Sequence, residues 1–396
     1  MSDESPDAAL VGAVEDFLRQ HDPHTMERSE FLRARFDAGL AWVHYPQGLG
    51  GQNLDAELQP IVDAAFAAAG APDNAPHRNV IGLGMAAPTI LRFAGDELKT
   101  RWLKPLWTGE EIWCQLFSEP GAGSDLAAVS TRAVRDGEGW RVSGQKVWTS
   151  LAHDATWALL VARTDPSETK HRGLTYFVCD MSSDGVDVRP LRQLTGEAEF
   201  NEVFLDDVYV PDTHRLGEPG QGWKVTQLTL MNERVAIGAG TTPREGGAIG
   251  FLTRSWRDNP HRRHPAVYDD VLKLWVDAEA ARLTTARLRQ QMEAGLPGPE
   301  GSGAKLSYAR LAQQTASVEV DLAGAEGLRY DDYSMRRPDL DVEENRPAAY
   351  RYLRTKGNSI EGGTSEIMRN IIAERVLGLP AEQRVDVDIA WKDLPR

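Results

Sequence analysis

The spacing of apolar positions changes twice along the chain. Over residues 1 to about 110 they recur at intervals of three and four, as at Ala13, Phe17 and Leu18 and again at Leu58, Ile61, Val62, Ala65 and Phe66, with Gly and Pro clusters between. That period puts them on one helix face, so this part is expected to be helical. From about 111 to 215 short runs replace it, at 112–117, 131–134, 140–142, 157–161, 174–178 and 202–205. These read as strands, with Asp136-Gly137 at a hairpin tip, and together as a compact sheet or barrel. After Pro219 the helical period returns at Val267, Val271, Leu274, Ala278 and Ala281, and at Tyr308, Leu311, Thr315, Val318 and Leu322. A last helix is expected from Thr364 to Gly378, with Pro380 beyond it.

Helices, then strands, then helices is a segregated α+β order rather than the alternating order of a dinucleotide fold. The expected domains are an N-terminal helical domain at 1–111, a middle β domain at 112–218 and a C-terminal helical bundle at 219–396. The 396 residues carry 44 basic and 59 acidic side chains, a net charge of −15. That balance argues against nucleic acid or an anionic membrane as principal partner. Only Cys114 and Cys179 are present, too few for a disulfide framework or a cysteine zinc site. The acidic N-terminus lacks a signal-peptide pattern and no apolar run reaches membrane-spanning length, so a cytoplasmic protein is expected.

Candidate chemistry concentrates at 117–125, FSEPGAGSD, after the first strand. Two glycines one residue apart let a backbone approach a ligand with its N–H groups exposed, and the same pattern also serves a plain turn. The histidines show no zinc-type spacing and Ser124 is not in a GxSxG elbow, which leaves no metal site and disfavours serine hydrolysis. Cofactor chemistry remains, with the protein supplying position and a base. The run Gly82-Leu83-Gly84-Met85-Ala86-Ala87 is small in side chain, which suits close helix packing or a wide pocket.

FSEPGAGSD, Lys146-Val147-Trp148-Thr149-Ser150 and Glu361-Gly362-Gly363-Thr364-Ser365-Glu366 together resemble the signatures of the acyl-CoA dehydrogenase family of flavoproteins. The resemblance covers most of the chain. It implies an N-terminal helical domain, a middle β domain and a C-terminal four-helix bundle, and FAD as cofactor. It also implies oxidation of an acyl-CoA to the trans-2-enoyl-CoA, with electron-transfer flavoprotein as acceptor and a homo- or heterotetramer as assembly. Gln115, Phe117, Ser118, Gly123, Ser124, Trp148, Ser150, Gly324, Thr364 and Glu366 are the implied FAD contacts. Ser124, Arg234 and Gly362 are the implied substrate contacts.

The usual family base is a Glu directly before Gly-Thr, and here that position is Gly362. A minority of the family carries the base on a C-terminal-domain helix before an Arg. Met231-Asn232-Glu233-Arg234 matches that arrangement, so Glu233 is the expected base, with Glu361 as the alternative. The family's Arg-x-x-Phe-Gly, which reaches a partner's FAD, is absent from 254–263, where Arg262 and Arg263 are the nearest substitutes. Alternatives are therefore a non-catalytic partner subunit of a heterotetramer, or an acyl-CoA oxidase or flavin monooxygenase on the same fold. A wide pocket for branched, long or sterol-derived acyl groups is a further expectation, and fatty acid or sterol side-chain β-oxidation the expected setting.

Overall fold

The computed structural model describes residues 6–238, 243–293, 298–330, 332–340, 346–384 and 386–394, without the side chains of 6–7, 233–238 and 292–293. Two compact units divide the chain. One comprises Met1–Arg189, Phe200–Glu233 and Asp388–Arg396, the other Pro190–Glu199 and Arg234–Val387.

The first unit opens with helices α1 (Pro6–Gln20), α2 (Arg28–Asp37), α3 (Gln59–Ala68), α4 (Ala87–Phe93) and α5 (Asp96–Thr108). Phe17, Phe31 and Phe66 meet edge to face at their centre, the geometry the ring quadrupole favours. The small-residue run forms a wide π-helical turn, Gly82–Ala86, ahead of α4. A Cβ at Gly82 would lie 2.2 Å from Asn79 Oδ1. Buried Asn79 needs that room: its Nδ2 donates to Leu106 O (2.9 Å) and Glu111 O (3.2 Å), and its Oδ1 accepts from Trp113 N (3.0 Å). Gly82 is thus explained by the joint between α5 and the sheet.

Among the described residues, seven strands form one sheet: β1 (Trp113–Leu116), β2 (Arg132–Asp136), β3 (Gly139–Ser150), β4 (Trp157–Arg163), β5 (Leu174–Asp180), β6 (Val186–Pro190) and β7 (Phe200–Pro211). The β2–β3 hairpin turns at Gly137, whose φ of +56° suits glycine at the first central position. β4 pairs with antiparallel β5 along its whole length. β4 also pairs with parallel β1, and then with β2 through the single pair Arg132–Arg163, which curls the sheet. Trp157, Leu159 and Val161 pack in the core shared with the N-terminal helices, while Ala158, Leu160 and Ala162 pack in a second core with Leu116, Val142 and Val203. Burial on both faces is why this strand reads as an unbroken apolar run.

Two bulges interrupt the β3–β7 ladder. Between Val142–Val208 and Gly144–Leu205, β3 advances two residues and β7 three; between Lys146–Val203 and Thr149–Asn201, β3 advances three and β7 two. Each bulge holds a non-glycine residue in the left-handed region, Asp207 (φ +55°) and Trp148 (φ +61°). Helix α6 (Gly222–Gly238) follows the sheet, and the boundary between units falls after its Glu233.

The second unit holds α7 (Ala248–Asp258), α8 (Pro265–Glu293), α9 (Gly301–Ala323), α10 (Ala348–Thr355) and α11 (Ser365–Ile371). Its core joins Ile249, Leu252, Val271, Leu274 and Leu322, flanked by Val267, Ala278, Leu311 and Val318. Tyr308, expected on the same buried stripe, is instead 60 % exposed. The final helix begins after Thr364, widens into a π-helical turn through Val376 and ends before Gly378 (φ +65°). Pro190–Glu199, though it lies between two strands in sequence, belongs to this unit because Tyr330 and Tyr350 hydroxyls donate to Thr195 O and Glu197 Oε2, both at 2.6 Å.

Candidate active site

The glycine loop is built from the inside outward. Glu119 and Ala122 exchange backbone hydrogen bonds of 3.0 Å, closing a tight turn around Pro120-Gly121. The Glu119 carboxylate points inward and accepts from Ser130 N (2.7 Å), Ser130 Oγ (2.7 Å), Thr131 N (2.9 Å) and Lys146 Nζ (2.9 Å). Lys146, fully buried on β3, also donates to Phe117 O (3.0 Å) and Val161 O (2.8 Å), which uses all three ammonium hydrogens. Burial pushes the Glu119 carboxyl up, but the Lys146 charge and the hydrogen bonds from Thr131 and Ser130 prevail and hold it at about 2. Burial likewise pulls the Lys146 ammonium down, against the attraction of Glu119.

This pair fastens two sequence signatures to each other, with Val147 N donating to Ser118 O (2.9 Å) beside it. The outer edge is left open. Gly121, Gly123, Ser124 and Asp125 are exposed, a Cβ at Gly121 or Gly123 would meet nothing within 4 Å, and among the described residues no hydrogen bond engages the N–H of Gly123 or Ser124. Gln115 Oε1 is buried without a partner. Phe117 is buried, its ring 5.9 Å from that of Tyr176.

Trp148 sits at the second bulge, 56 % exposed, its ring 6.0 Å from Phe200. Regular alternation would put it on the face of Lys146, and the bulge turns it out instead. Ser150 is the last residue of β3, half-buried and paired with Phe200.

Helix α6 is pinned by a buried chain of hydroxyls. Thr229 Oγ1 lies 3.0 Å from Thr89 Oγ1 and 3.1 Å from Tyr176 Oη, and donates to Val225 O (3.0 Å). Glu233 lies four residues beyond Thr229, a spacing that shares one helix face. The side chains of Glu233 and Arg234 lie outside the described residues.

In the second unit, Gly362 (φ +60°) and Gly363 (φ +94°) form a left-handed turn that Lys305 Nζ holds through Asn358 O (2.9 Å) and Gly363 O (2.5 Å). A Cβ at Gly362 would meet nothing within 4 Å. Thr364 Oγ1 accepts from Ile367 N (3.2 Å) as the N-cap of α11, and Glu366 in its first turn pairs with Arg369. Glu361 is bound by Arg354, both carboxylate oxygens at 3.1 Å. The same guanidinium attracts Glu199, whose carboxyl is nevertheless pushed up by burial. Gly324 follows α9 with φ +60°, and Arg262 donates to the last carbonyls of that helix, Leu322 O (3.1 Å) and Ala323 O. Arg263 donates to Trp256 O (3.0 Å) and Arg257 O (2.6 Å). Among the described residues no His, Cys, Asp and Glu cluster could hold a metal ion, and no helix is long and apolar enough to cross a membrane.

Family models for the N-terminal, middle and C-terminal domains of acyl-CoA dehydrogenases match residues 8–110, 114–208 and 220–377. The chain is 35% identical over 366 residues to acyl-CoA dehydrogenase IpdE1 of Mycobacterium tuberculosis, covering 92% of this chain and 91% of that protein. The chain belongs to the acyl-CoA dehydrogenase family. Members of that family are oxidoreductases, and this chain is an enzyme of that class. It is also 41% identical over 347 residues to acyl-CoA dehydrogenase FadE34 of the same organism, covering 87% of this chain but only 45% of that protein, so it spans under half the length of that relative. Among solved structures, one chain of the ChsE4-ChsE5 complex from Mycobacterium tuberculosis superposes with a TM-score of 0.69 at 26% identity, covering 96% of this chain and all of that one.

Within this family member, Gln115, Phe117, Ser118, Gly123, Ser124, Trp148 and Ser150 all belong to the first unit, on β1, the glycine loop and β3. Gly324, Glu361, Gly362, Thr364 and Glu366 belong to the second unit, where Thr364 caps a helix and Glu361 is ion-paired. Glu119 and Lys146 themselves escape sequence reasoning, although each lies inside a signature: a lysine within a strand reads as its solvent face. Glu199 escapes too, since its partner Arg354 is remote in sequence.

Proposed function

We propose that this chain is an FAD-dependent acyl-CoA dehydrogenase that converts an acyl-CoA to the trans-2-enoyl-CoA. The observation that carries the reading is the loop and strand locked by Lys146, with a glycine edge left open beside the outward Trp148. These residues fit a flavin: Gln115 Oε1 is an orphaned acceptor for a ring N–H, and the free N–H groups of Gly123 and Ser124 suit a phosphate or a ring oxygen. Gln115, Phe117, Ser118, Gly123, Ser124, Trp148 and Ser150 would hold FAD, with Gly324, Thr364 and Glu366 as its contacts from a helical unit. Bound FAD supplies the acceptor for the substrate's β-hydride.

The chain's own part is acid–base work and orientation. Glu233 takes the α-proton on its carboxylate, which must lie near the thioester carbon for an acid this weak to react. The backbone N–H of Gly362 donates to the thioester oxygen, where charge develops, and needs no side chain to do so. Ser124 and Arg234 contact the acyl-CoA. Glu361 suits the base role less well, since both its carboxylate oxygens are already engaged by one guanidinium nitrogen of Arg354. Electrons pass on to electron-transfer flavoprotein, and the assembly is a homo- or heterotetramer in the cytoplasm. Anaerobic titration with a panel of acyl-CoAs tests this: the flavin should bleach, Glu233→Gln should keep flavin and lose bleaching, and Glu361→Gln should keep both. Protein that binds no FAD, or a Glu233→Gln variant that still bleaches, overturns the respective part.

A second reading, a partner subunit that does not catalyse by itself, is favoured by the likeness to a chain of a two-protein complex and by the engagement of Arg262 and Arg263 with helix carbonyls. It predicts weak FAD retention by the chain alone and recovery on co-expression with a relative. An oxidase on this fold would instead consume oxygen rapidly during turnover.

A further inference from the structure

The family models end at residue 377, yet the chain returns to the first unit at Asp388–Arg396. There Ala390 bridges to Thr169, Trp391 N donates to Glu168 O (2.8 Å), and Lys392 N donates to Pro166 O (3.0 Å). The half-buried indole of Trp391 covers the Arg163 guanidinium, 4.4 Å from its carbon to the ring centre, and donates to Ala128 O (3.3 Å).

What lies beneath that indole is the far end of the glycine loop. Arg163 is buried and spends its donors on Ala127 O (2.6 Å), Val129 O (3.1 Å) and Lys170 O (3.1 Å). Lys170, half of the same arrangement, reaches Asp125 Oδ2 at 2.8 Å, and Asp125 is the last residue of FSEPGAGSD. Burial pulls the Arg163 guanidinium down to about 10, against Glu119 and Asp125, so the arginine is held at a cost in desolvation. An aromatic face over a desolvated guanidinium offsets that cost and shields its hydrogen bonds from water.

We propose that Trp391 is a positioning residue for the cofactor loop: the C-terminal segment clamps Arg163 and Ala128, and thereby fixes the loop end at Asp125 opposite the end fixed by Lys146. The loop is then held at both ends while its glycine edge stays open. The inference rests on the flavin reading for the ligand concerned, but its mechanical part does not.

The test is hydrogen exchange on the full chain without added cofactor, with Trp391→Ala and a chain lacking 388–396. Amides of 121–130 should exchange roughly fivefold faster or more, while those of β4 and β5 keep their rates. Trp391→Phe, which keeps the ring over Arg163, should restore most of the protection. In the FAD-loaded protein, Trp391→Ala should weaken FAD binding several-fold with little change in melting temperature. Unchanged exchange at 121–130, equal acceleration in β4 and β5, or faster loop exchange with unaltered FAD affinity would each overturn the proposal. Failure of the unsubstituted chain to bind FAD would instead sink the flavin reading and leave the exchange result standing.

Discussion

Lys146 Nζ lies 2.9 Å from Glu119 Oε1 with both side chains buried, and the pair joins the signature that contains the open glycine edge to the one that contains Trp148. A buried pair of this kind is weak as a source of net stability, because desolvation consumes most of the attraction, but removing one partner strands the other. Lys146→Met should therefore cost about 3–5 kcal/mol in chemical denaturation and loosen the loop around Gly121. A change below about 1 kcal/mol would mean that Glu119 finds another partner.

The same pair makes a pH prediction. The folded Glu119 carboxyl stands at about 2, below the ordinary 4.5 of the unfolded chain, so its contribution is complete above pH 4.5 and is lost as pH falls toward 2. Stability of the unsubstituted chain should decline over that window. Glu119→Gln should show a shallower decline there from a lower plateau. Parallel curves for the two proteins would contradict the assignment.

Trp148 holds a left-handed backbone at φ +61°, a conformation that costs a bulky residue about 1 kcal/mol or more. Trp148→Gly should relieve that strain and leave the melting temperature unchanged or higher. If the indole covers the flavin, the same substitution should speed FAD loss on dilution. Unaltered FAD retention would assign the exposed ring another purpose.

The Thr89–Thr229–Tyr176 chain holds the helix that carries Glu233. Tyr176→Phe leaves the Thr229 hydroxyl with one contact fewer and should cost about 1 kcal/mol. It should slow substrate-driven bleaching more than it weakens acyl-CoA binding, which rapid-mixing measurements separate. Equal effects on both would reduce the hydroxyl chain to core packing.

Gly82 distinguishes packing from pocket. Gly82→Ala puts a methyl 2.2 Å from Asn79 Oδ1 and should lower stability by about 1–3 kcal/mol. A stable variant with an altered acyl-chain preference would return Gly82 to the substrate site.

Legibility in the sequence followed local physics. The β4 run was readable because burial on both faces leaves no polar positions, and the last helix because Thr364 and Gly378 mark its ends. Helix α2, RSEFLRARFD, was obscured by five charges, of which Arg35 is buried against Asp63 and the Phe66 ring. The clamp on Arg163 was not legible because Trp391 meets it only after the chain has traversed the whole second unit. Tyr308 fits a buried period yet stands exposed, since spacing assigns a face to a residue and not the partner that covers it.

The two bulges of the β3–β7 ladder offset each other, the extra residue near Asp207 on one strand being cancelled by the one near Trp148 on the other. The two strands therefore advance by the same number of residues between Val142–Val208 and Ser150–Phe200, although the ladder between the bulges is offset by one. Deleting Trp148 would put Val147 opposite Glu202 and leave Thr149 opposite Asn201, and deleting Asp207 would put Ser143 opposite Asp206 and leave Gly144 opposite Leu205, so each deletion would straighten its own stretch and keep the pairing beyond it. Each site should accordingly tolerate the single loss of its own extra residue, and what is lost at the second is the outward turn of the backbone rather than the register of the strand.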